Sequence, residues 1–262
     1  MPHLDVLAVV VVAVCLFLYG ISKTAMPVAG VVAGTVLAGV LGPAVATGFL
    51  VPLLVLGDLF ALAFYRSHVD WRIILRVIPG VLIGFVLTAL MFAFLPQAAV
   101  ARIVGVLILI SLLLELWRQA KLRRAGQPDG VIADDASAPA PPRDHRIVTA
   151  MFGVLAGMTT MGANAGGTAM SIYLIRLRVP MLAFMGTAAW FFFFLNVCKA
   201  PFVIALGYLT WDSLVWDLWF AAPLVVGALA GAFVFRRMTP QWFTRIALAL
   251  SGLAAIWLIV RG

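Results

Sequence analysis

The chain has 262 residues, of which 65% are hydrophobic and 11% charged, with a formal net charge of +8 and a mean hydropathy of +1.14. No soluble core of this length needs so much apolar surface, and several runs exceed the roughly 18 residues that mark a membrane helix. The runs are continuous, not alternating, which excludes a barrel. The positive charge does not call for nucleic acid, because membrane proteins gather Lys and Arg in cytoplasmic loops.

The first apolar run, Leu4 to Gly20, follows Met-Pro-His-Leu-Asp and has neither a basic leader nor a convincing cleavage site, so it reads as retained structure. With its continuation it forms an irregular unit over 4–41, broken at Gly20-Ile-Ser-Lys-Thr-Ala-Met-Pro-Val-Ala-Gly30. Membrane helices are then predicted over 43–65, 73–95 and 100–117. The stretch 118–146 contains Ala-Pro-Ala-Pro-Pro and six arginines or lysines among its flanks, and reads as an extended linker. A second irregular unit, 147–176, precedes helices over 180–206, 214–235 and 241–260. The expected domains are therefore a first transmembrane repeat over 1–117, a Pro/Ala/Arg-rich cytoplasmic linker over 118–146 and a second transmembrane repeat over 147–262.

The two halves repeat each other. Gly20, Gly30 and Pro43 recur 137 positions later as Gly157, Gly167 and Pro180. With a small drift, Trp71 answers Trp211, Pro79 answers Pro223, Gly84 answers Gly227 and Pro96-Gln97 answers Pro240-Gln241. Basic residues orient the repeats. Arg66, Arg72 and Arg76, the linker cluster Arg118, Lys121, Arg123, Arg124, Arg143 and Arg146, and the pairs Arg176/Arg178 and Arg236/Arg237 mark cytoplasmic ends. The span 43–65 then runs outside to inside and its counterpart 180–206 runs inside to outside, so the repeat is inverted. The expected fold is an all-α integral membrane protein of two inverted-topology repeats. Each repeat is a broken-helix or re-entrant unit followed by three transmembrane helices. For 147–176 the expectation is two pieces of about 11 residues meeting in mid-membrane, too short to cross.

Chemistry is sought where polar groups lie at membrane depth. The second break, Gly157-Met-Thr-Thr-Met-Gly-Ala-Asn-Ala-Gly-Gly-Thr168, has four glycines that admit a ligand to the backbone. A helix starting near Gly166 aims free N–H groups and a positive dipole end at an anion. Thr159, Thr160, Gly162, Asn164, Gly166 and Gly167 are the candidate binding residues there, and Ser22, Lys23 and Thr24 their counterparts in the first break. Small-residue helix packing is the alternative reading of both.

Lys199 lies in a predicted span with Asn196 one turn before it, and a buried cation suits an anionic substrate. Snorkelling to an interface is its alternative. Asp58 is a mid-span carboxylate that pairs with Lys199 or carries a coupling proton, unless its ion pair is purely structural. Tyr65 is two turns further on the same face, and both are assigned to coupling or gating. Asp217 and Glu115 are placed at span ends and read as interfacial, and His3, His68 and His145 as solvated. Trp190 to Phe194 and Trp211, Trp216 and Trp219 read as lipid-facing or belt residues.

No GxSxG, HExxH or cysteine pair is present, Cys15 and Cys198 lying alone in apolar runs, so no catalytic residue, metal site or cofactor is expected.

Several stretches together resemble the TauE/SafE family of sulfite-exporter-like membrane permeases. They are Pro52-Leu-Leu-Val-Leu-Gly-Asp58-Leu-Phe-Ala61 with Tyr65-Arg66, Trp71 and Pro79, then Gly157 through Gly167, Gly186-Thr187 and Asn196-Val-Cys-Lys199-Ala-Pro201. The first break departs from the Gly-rich pattern of the second, with Lys23, Met26 and Pro27 in place of glycines. The resemblance implies export of sulfite or organosulfonate-type anions, often driven by an ion gradient. Combined with the repeat, it points to a secondary transporter of the cell membrane that works by alternating access, with the linker in the cytoplasm. A coupling proton and self-association are compatible with the sequence. An anion channel or a non-transporting membrane subunit is the alternative. An intramembrane enzyme is disfavoured.

Overall fold

A computed structural model describes residues 5–41, 43–124, 146–163, 165–205, 207, 209 and 211–261. Among these, all regular structure is helical: α1 (Val6–Thr24), a 3-10 turn (Pro27–Ala29), α2 (Gly30–Leu41), α3 (Pro43–Tyr65), α4 (Trp71–Phe94), α5 (Gln97–Arg124), α6 (Arg146–Ala163), α7 (Gly166–Arg176), α8 (Met181–Ala205), α9 (Trp211–Phe235) and α10 (Pro240–Arg261). Among the described residues seven segments are long and apolar enough to cross a membrane: Val6–Thr24, Gly48–His68, Trp71–Phe94, Ala98–Leu122, Met181–Ala205, Leu214–Phe235 and Pro240–Val260. Helix is the form such runs must take, because lipid offers the backbone no hydrogen-bonding partner. For the same reason α3, α4, α8 and α9 carry Pro52, Pro79, Pro201 and Pro223 inside them without ending there.

The helices group into two compact units, Met1–Val69 with Met185–Arg237, and Asp70–Phe184 with Met238–Gly262. Each unit therefore draws on both sequence repeats. In the first unit, α1 lies against α9 with backbone touching backbone. A Cβ on Gly20 would run into the Leu224 carbonyl oxygen and lie 2.6 Å from the Ala228 nitrogen, and one on Gly227 would run into the carbonyl of Phe17. Gly231 meets Ile21 and Thr24 in the same way, so the contacts advance together along both helices and the pair is parallel. The Thr24 hydroxyl closes the seam by donating to the Ala228 carbonyl at 2.6 Å. Around it lies an apolar core that includes Val12, Leu16, Leu37, Leu50, Leu53 and Leu224, with the Phe49 and Phe220 rings edge-on at 5.6 Å.

The second unit is built on the same device. Gly80 and Gly84 of α4 meet Gly153 and Gly157 of α6, and any Cβ there would strike the opposite backbone. Contacts again advance in step, from Gly80 against Ala150 and Gly153 to Gly84 against Val154 and Met158. Gly157 is the repeat partner of Gly20, and Gly84 that of Gly227. Small residues at such a crossing let two helices gain dispersion contact where lipid removes the hydrophobic drive between them. Elsewhere in this unit Gly105 of α5 accommodates Ala255 and Leu258 of α10, and the Phe184 and Phe243 rings meet edge-on at 4.9 Å.

In the second irregular unit α6 has 18 residues and α7 has 11, with the break at Ala165; neither is among the candidate spans, and Thr159–Ala163 belongs to the end of the longer piece. α5 runs on to Arg124, so 118–124 is helix where an extended linker is expected; Glu115, Arg118 and Gln119, at helical spacing, bond one another along it. Residues 125–145, including His145, lie outside the described residues, as does His3. At the first break α1, a full-length candidate span, ends at Thr24 and α2 starts at Gly30.

Candidate functional site

The first break is set by proline. Pro27 opens the 3-10 turn, and Met26 before it is extended, at φ −160° and ψ 102°, because the proline ring excludes the helical region for its predecessor. α1 closes ahead of it through Ala25 N–H to the Ile21 carbonyl and Met26 N–H to the Ser22 carbonyl. Lys23 is thereby held in the last turn of a buried helix end. Its Nζ lies 2.6 Å from Oδ1 of Asp58 on α3, with side chains 10% and 1% exposed. The other carboxylate oxygen, Oδ2, accepts from Asn196 Nδ2 of α8 at 2.6 Å. The carboxylate is thus gripped on both oxygens, by a cation and by a neutral amide. Lys23 also lies over the Phe192 ring at 5.4 Å, and Gly57 leaves room for its stem, since a Cβ there would come within 3.0 Å of Lys23 Cγ.

Tyr65 secures the same break. Its hydroxyl donates to the Thr24 carbonyl at 2.8 Å, one of the helix-end acceptors left without an intrahelical partner, and its ring meets Phe235 edge-on at 5.2 Å. Ser22 is buried, its oxygen 2.7 Å from where a Cβ on Gly30 would sit. The Thr24 hydroxyl is committed to Ala228. Lys199, three residues beyond Asn196 on α8, is buried at 6% exposure. The ammonium beside Asp58 belongs to Lys23, however, where the sequence reading offers Lys199.

The second break, in the other unit, is neutral. α7 starts at Gly166 after Ala165, with no side chain capping its first N–H groups. Ala165 N–H reaches back to the Thr159 carbonyl at 2.8 Å, and Thr168 N–H bonds the Ala165 carbonyl at 3.0 Å. The buried hydroxyls of Thr160, Thr168 and Ser171 have no hydrogen-bond partner among the described residues. The Thr159 hydroxyl is committed to the Ala156 carbonyl at 3.0 Å and is no free donor. Gly162 is helical, Gly166 and Gly167 form the first turn of α7, and Asn164 lies outside the described residues. Uncapped N–H groups beside unpartnered buried hydroxyls make a donor-rich, uncharged cradle of the kind that takes an anion.

Two further carboxylates, read from the sequence as lying near span ends, are buried by their neighbours. Glu115 is 1% exposed: its Oε2 accepts from Arg118 Nε at 2.8 Å and its Oε1 from Gln119 at 3.0 Å, and Arg176 Nη1 is 3.8 Å away. The Glu-x-x-Arg-Gln spacing was the available signal. Asp217 is 4% exposed, and neither oxygen has a hydrogen-bond partner among the described residues. It shares the buried face of α9 with Phe220 and Leu224. Phe191 is also buried instead of lipid-facing, and Trp190 donates from Nε1 to the Arg66 carbonyl at 3.3 Å. Among the described residues no cluster of three His, Cys, Asp or Glu side chains forms a metal site.

The family model for the sulfite exporter TauE/SafE matches residues 9–258. The chain belongs to the TauE/SafE family. This TauE/SafE protein is a multi-pass membrane protein of transporter type, and its family consists of membrane transporters and not enzymes. No curated protein and no solved structure matches it.

Proposed function

We propose that this TauE/SafE protein is a secondary transporter that exports small oxyanions, sulfite or organosulfonates, across the cell membrane by alternating access, with proton coupling at Asp58. The observation that carries this reading is the Lys23–Asp58–Asn196 cluster, a buried ion pair at a helix break inside apolar helices. Charges at such depth are costly and are kept where ions or substrates pass. Lys199 and Asn196 on α8, with Ser22, Lys23 and Thr24 at the first break, are the candidate substrate-binding residues of the first unit, where the lysines supply positive charge. In the second unit, taken by itself, Thr160, Gly166, Gly167 and Thr168 offer neutral donors. Tyr65, tied to the broken end of α1, acts in gating. The matched glycine crossings of α1 with α9 and of α6 with α4 support a repeat over 1–117 and 147–262, which charge placement reads as inverted, the usual basis of alternating access. Charge placement supports a cytoplasmic linker.

The test is flux of sulfite and an organosulfonate in proteoliposomes, with and without a pH gradient, for the wild type, Lys199→Ala and Asp58→Asn. Saturable flux that depends on the gradient, falls in Lys199→Ala and loses its gradient dependence in Asp58→Asn is expected. Absence of flux from folded wild-type protein would refute the transporter reading, and non-saturating electrogenic flux would favour a channel.

A further inference from the structure

We infer that the carboxylate of Asp58 occupies the place of the substrate anion in the unloaded protein, and that substrate enters this position only as Asp58 takes up a proton. This rests on the anion-transport reading and deepens it. Asp58 presents two oxygens on one carbon, each held at 2.6 Å by a different donor, Lys23 Nζ and Asn196 Nδ2. That is how a binding site grips a small oxyanion: one ammonium and one amide on two oxygens of a common atom. Sulfite and sulfonates share the feature.

Charge at the Lys23–Asp58 pair sets the two anions against each other. With Asp58 ionised, the ammonium and carboxylate of the pair sum to zero, and an anion added at Lys23 and Asn196 would set two negative groups against the pair's own ammonium where little solvent screens them. A proton that bonds to a carboxylate oxygen of Asp58 leaves the ammonium uncompensated and releases both donors. The oxyanion then restores neutrality and takes both hydrogen bonds. One proton enters per monoanion, no covalent bond breaks, and the loaded site is again neutral. Asp58 is the one carboxylate on α1, α2, α3 and α8. The other titratable side chains on the helices around it are Cys15, Tyr19 and Lys23 of α1, Tyr65 of α3, Cys198 and Lys199 of α8, and Asp212 and Asp217 of α9; α2 has none. Of these, Lys23 makes the described ion pair with Asp58.

The stand-in also restricts what is carried. A monoanion with two oxygens on one atom reproduces the two acceptor positions that the carboxylate offers Lys23 and Asn196, whereas a halide offers both donors a single centre. Sulfonates and small carboxylates should therefore compete more strongly than chloride.

The experiment is calorimetric titration of the purified full chain with methanesulfonate, whose own charge is constant between pH 5 and pH 9, in buffers of differing ionisation enthalpy. Expected is uptake of one proton per anion, with affinity weakening up to tenfold per pH unit as pH rises through the titration of Asp58. Asp58→Asn should bind without proton uptake and with no pH slope. Asn196→Ala should keep the proton uptake with little change in affinity, because the amide is lost alike to the carboxylate of the unloaded state and to the anion of the loaded one. Wild-type binding with flat affinity and no proton uptake across the range would overturn the exchange while leaving the anion site standing. An Asp58→Asn protein that keeps the slope would do the same. No binding of methanesulfonate or sulfite to the wild type at any pH would refute the anion reading itself.

Discussion

Removing the cation from the buried pair should cost far more than removing the pair. Lys23→Met keeps the length of the stem under Phe192 but leaves the Asp58 carboxylate, 1% exposed, with Asn196 as its described partner. Breaking a buried ion pair from one side typically costs about 3–5 kcal/mol, whereas replacing both charges by apolar groups is often neutral. For a chain of this size about 1 kcal/mol moves a thermal midpoint by roughly 2–4 °C. Lys23→Met should therefore lower the midpoint by about 6–20 °C, and Lys23→Met/Asp58→Leu should recover most of that loss while abolishing anion flux. Asp58→Asn should fall between them, because the amide can still bond Asn196. The assay is thermal unfolding of these four proteins and of Asp58→Leu alone, which closes the cycle, in one detergent, read by tryptophan fluorescence and by loss of monodispersity. Coupling in the double-mutant cycle below about 0.5 kcal/mol would refute the reasoning, since independent sites add within that margin. It would mean that Lys23 and Asp58 do not meet as described.

Other perturbations separate packing from binding. Gly20→Leu and Gly84→Leu drive a side chain into the opposite backbone and should each abolish a folded, monodisperse peak on size exclusion. Thr160→Val and Thr168→Val remove hydroxyls that have no described partner, so both should unfold within about 1 kcal/mol of the wild type yet bind anion more weakly by calorimetry. Tyr65→Phe loses the bond to the Thr24 carbonyl and should cost about 1 kcal/mol in thermal unfolding, with a larger proportional fall in flux if the residue gates. Asp217→Asn forfeits no described hydrogen bond and should leave the unfolding midpoint within about 2 °C of wild type, in contrast to Asp58→Asn.

The helix spans were legible because hydrocarbon imposes one rule on every apolar run, and that rule is local. Predicted spans 43–65, 180–206 and 241–260 agree with α3, α8 and α10 to within a residue or two at each end. The break at Pro27 and the start of α7 at Gly166 were likewise written in residue type, one through ring sterics and the other through glycine. Asp58 and Lys23 could each be singled out as ionisable groups near membrane depth. Their pairing could not, because they are 35 positions apart, and which cation meets which carboxylate depends on how α1, α3 and α8 pack. The same holds for the burial of Glu115 and Asp217. Distance from a span end says how near a residue is to the interface and nothing about whether a neighbouring helix covers it. The division into units that mix the two repeats was also out of reach of the sequence. Likeness between the two halves is a feature of the sequence, whereas the partner of each helix follows from where glycines let two backbones meet. Sequence by itself determined the class, the helices and the residues with chemistry to offer. Tertiary packing decided which of those residues touch, because burial and pairing are properties of helix neighbours and not of any one helix.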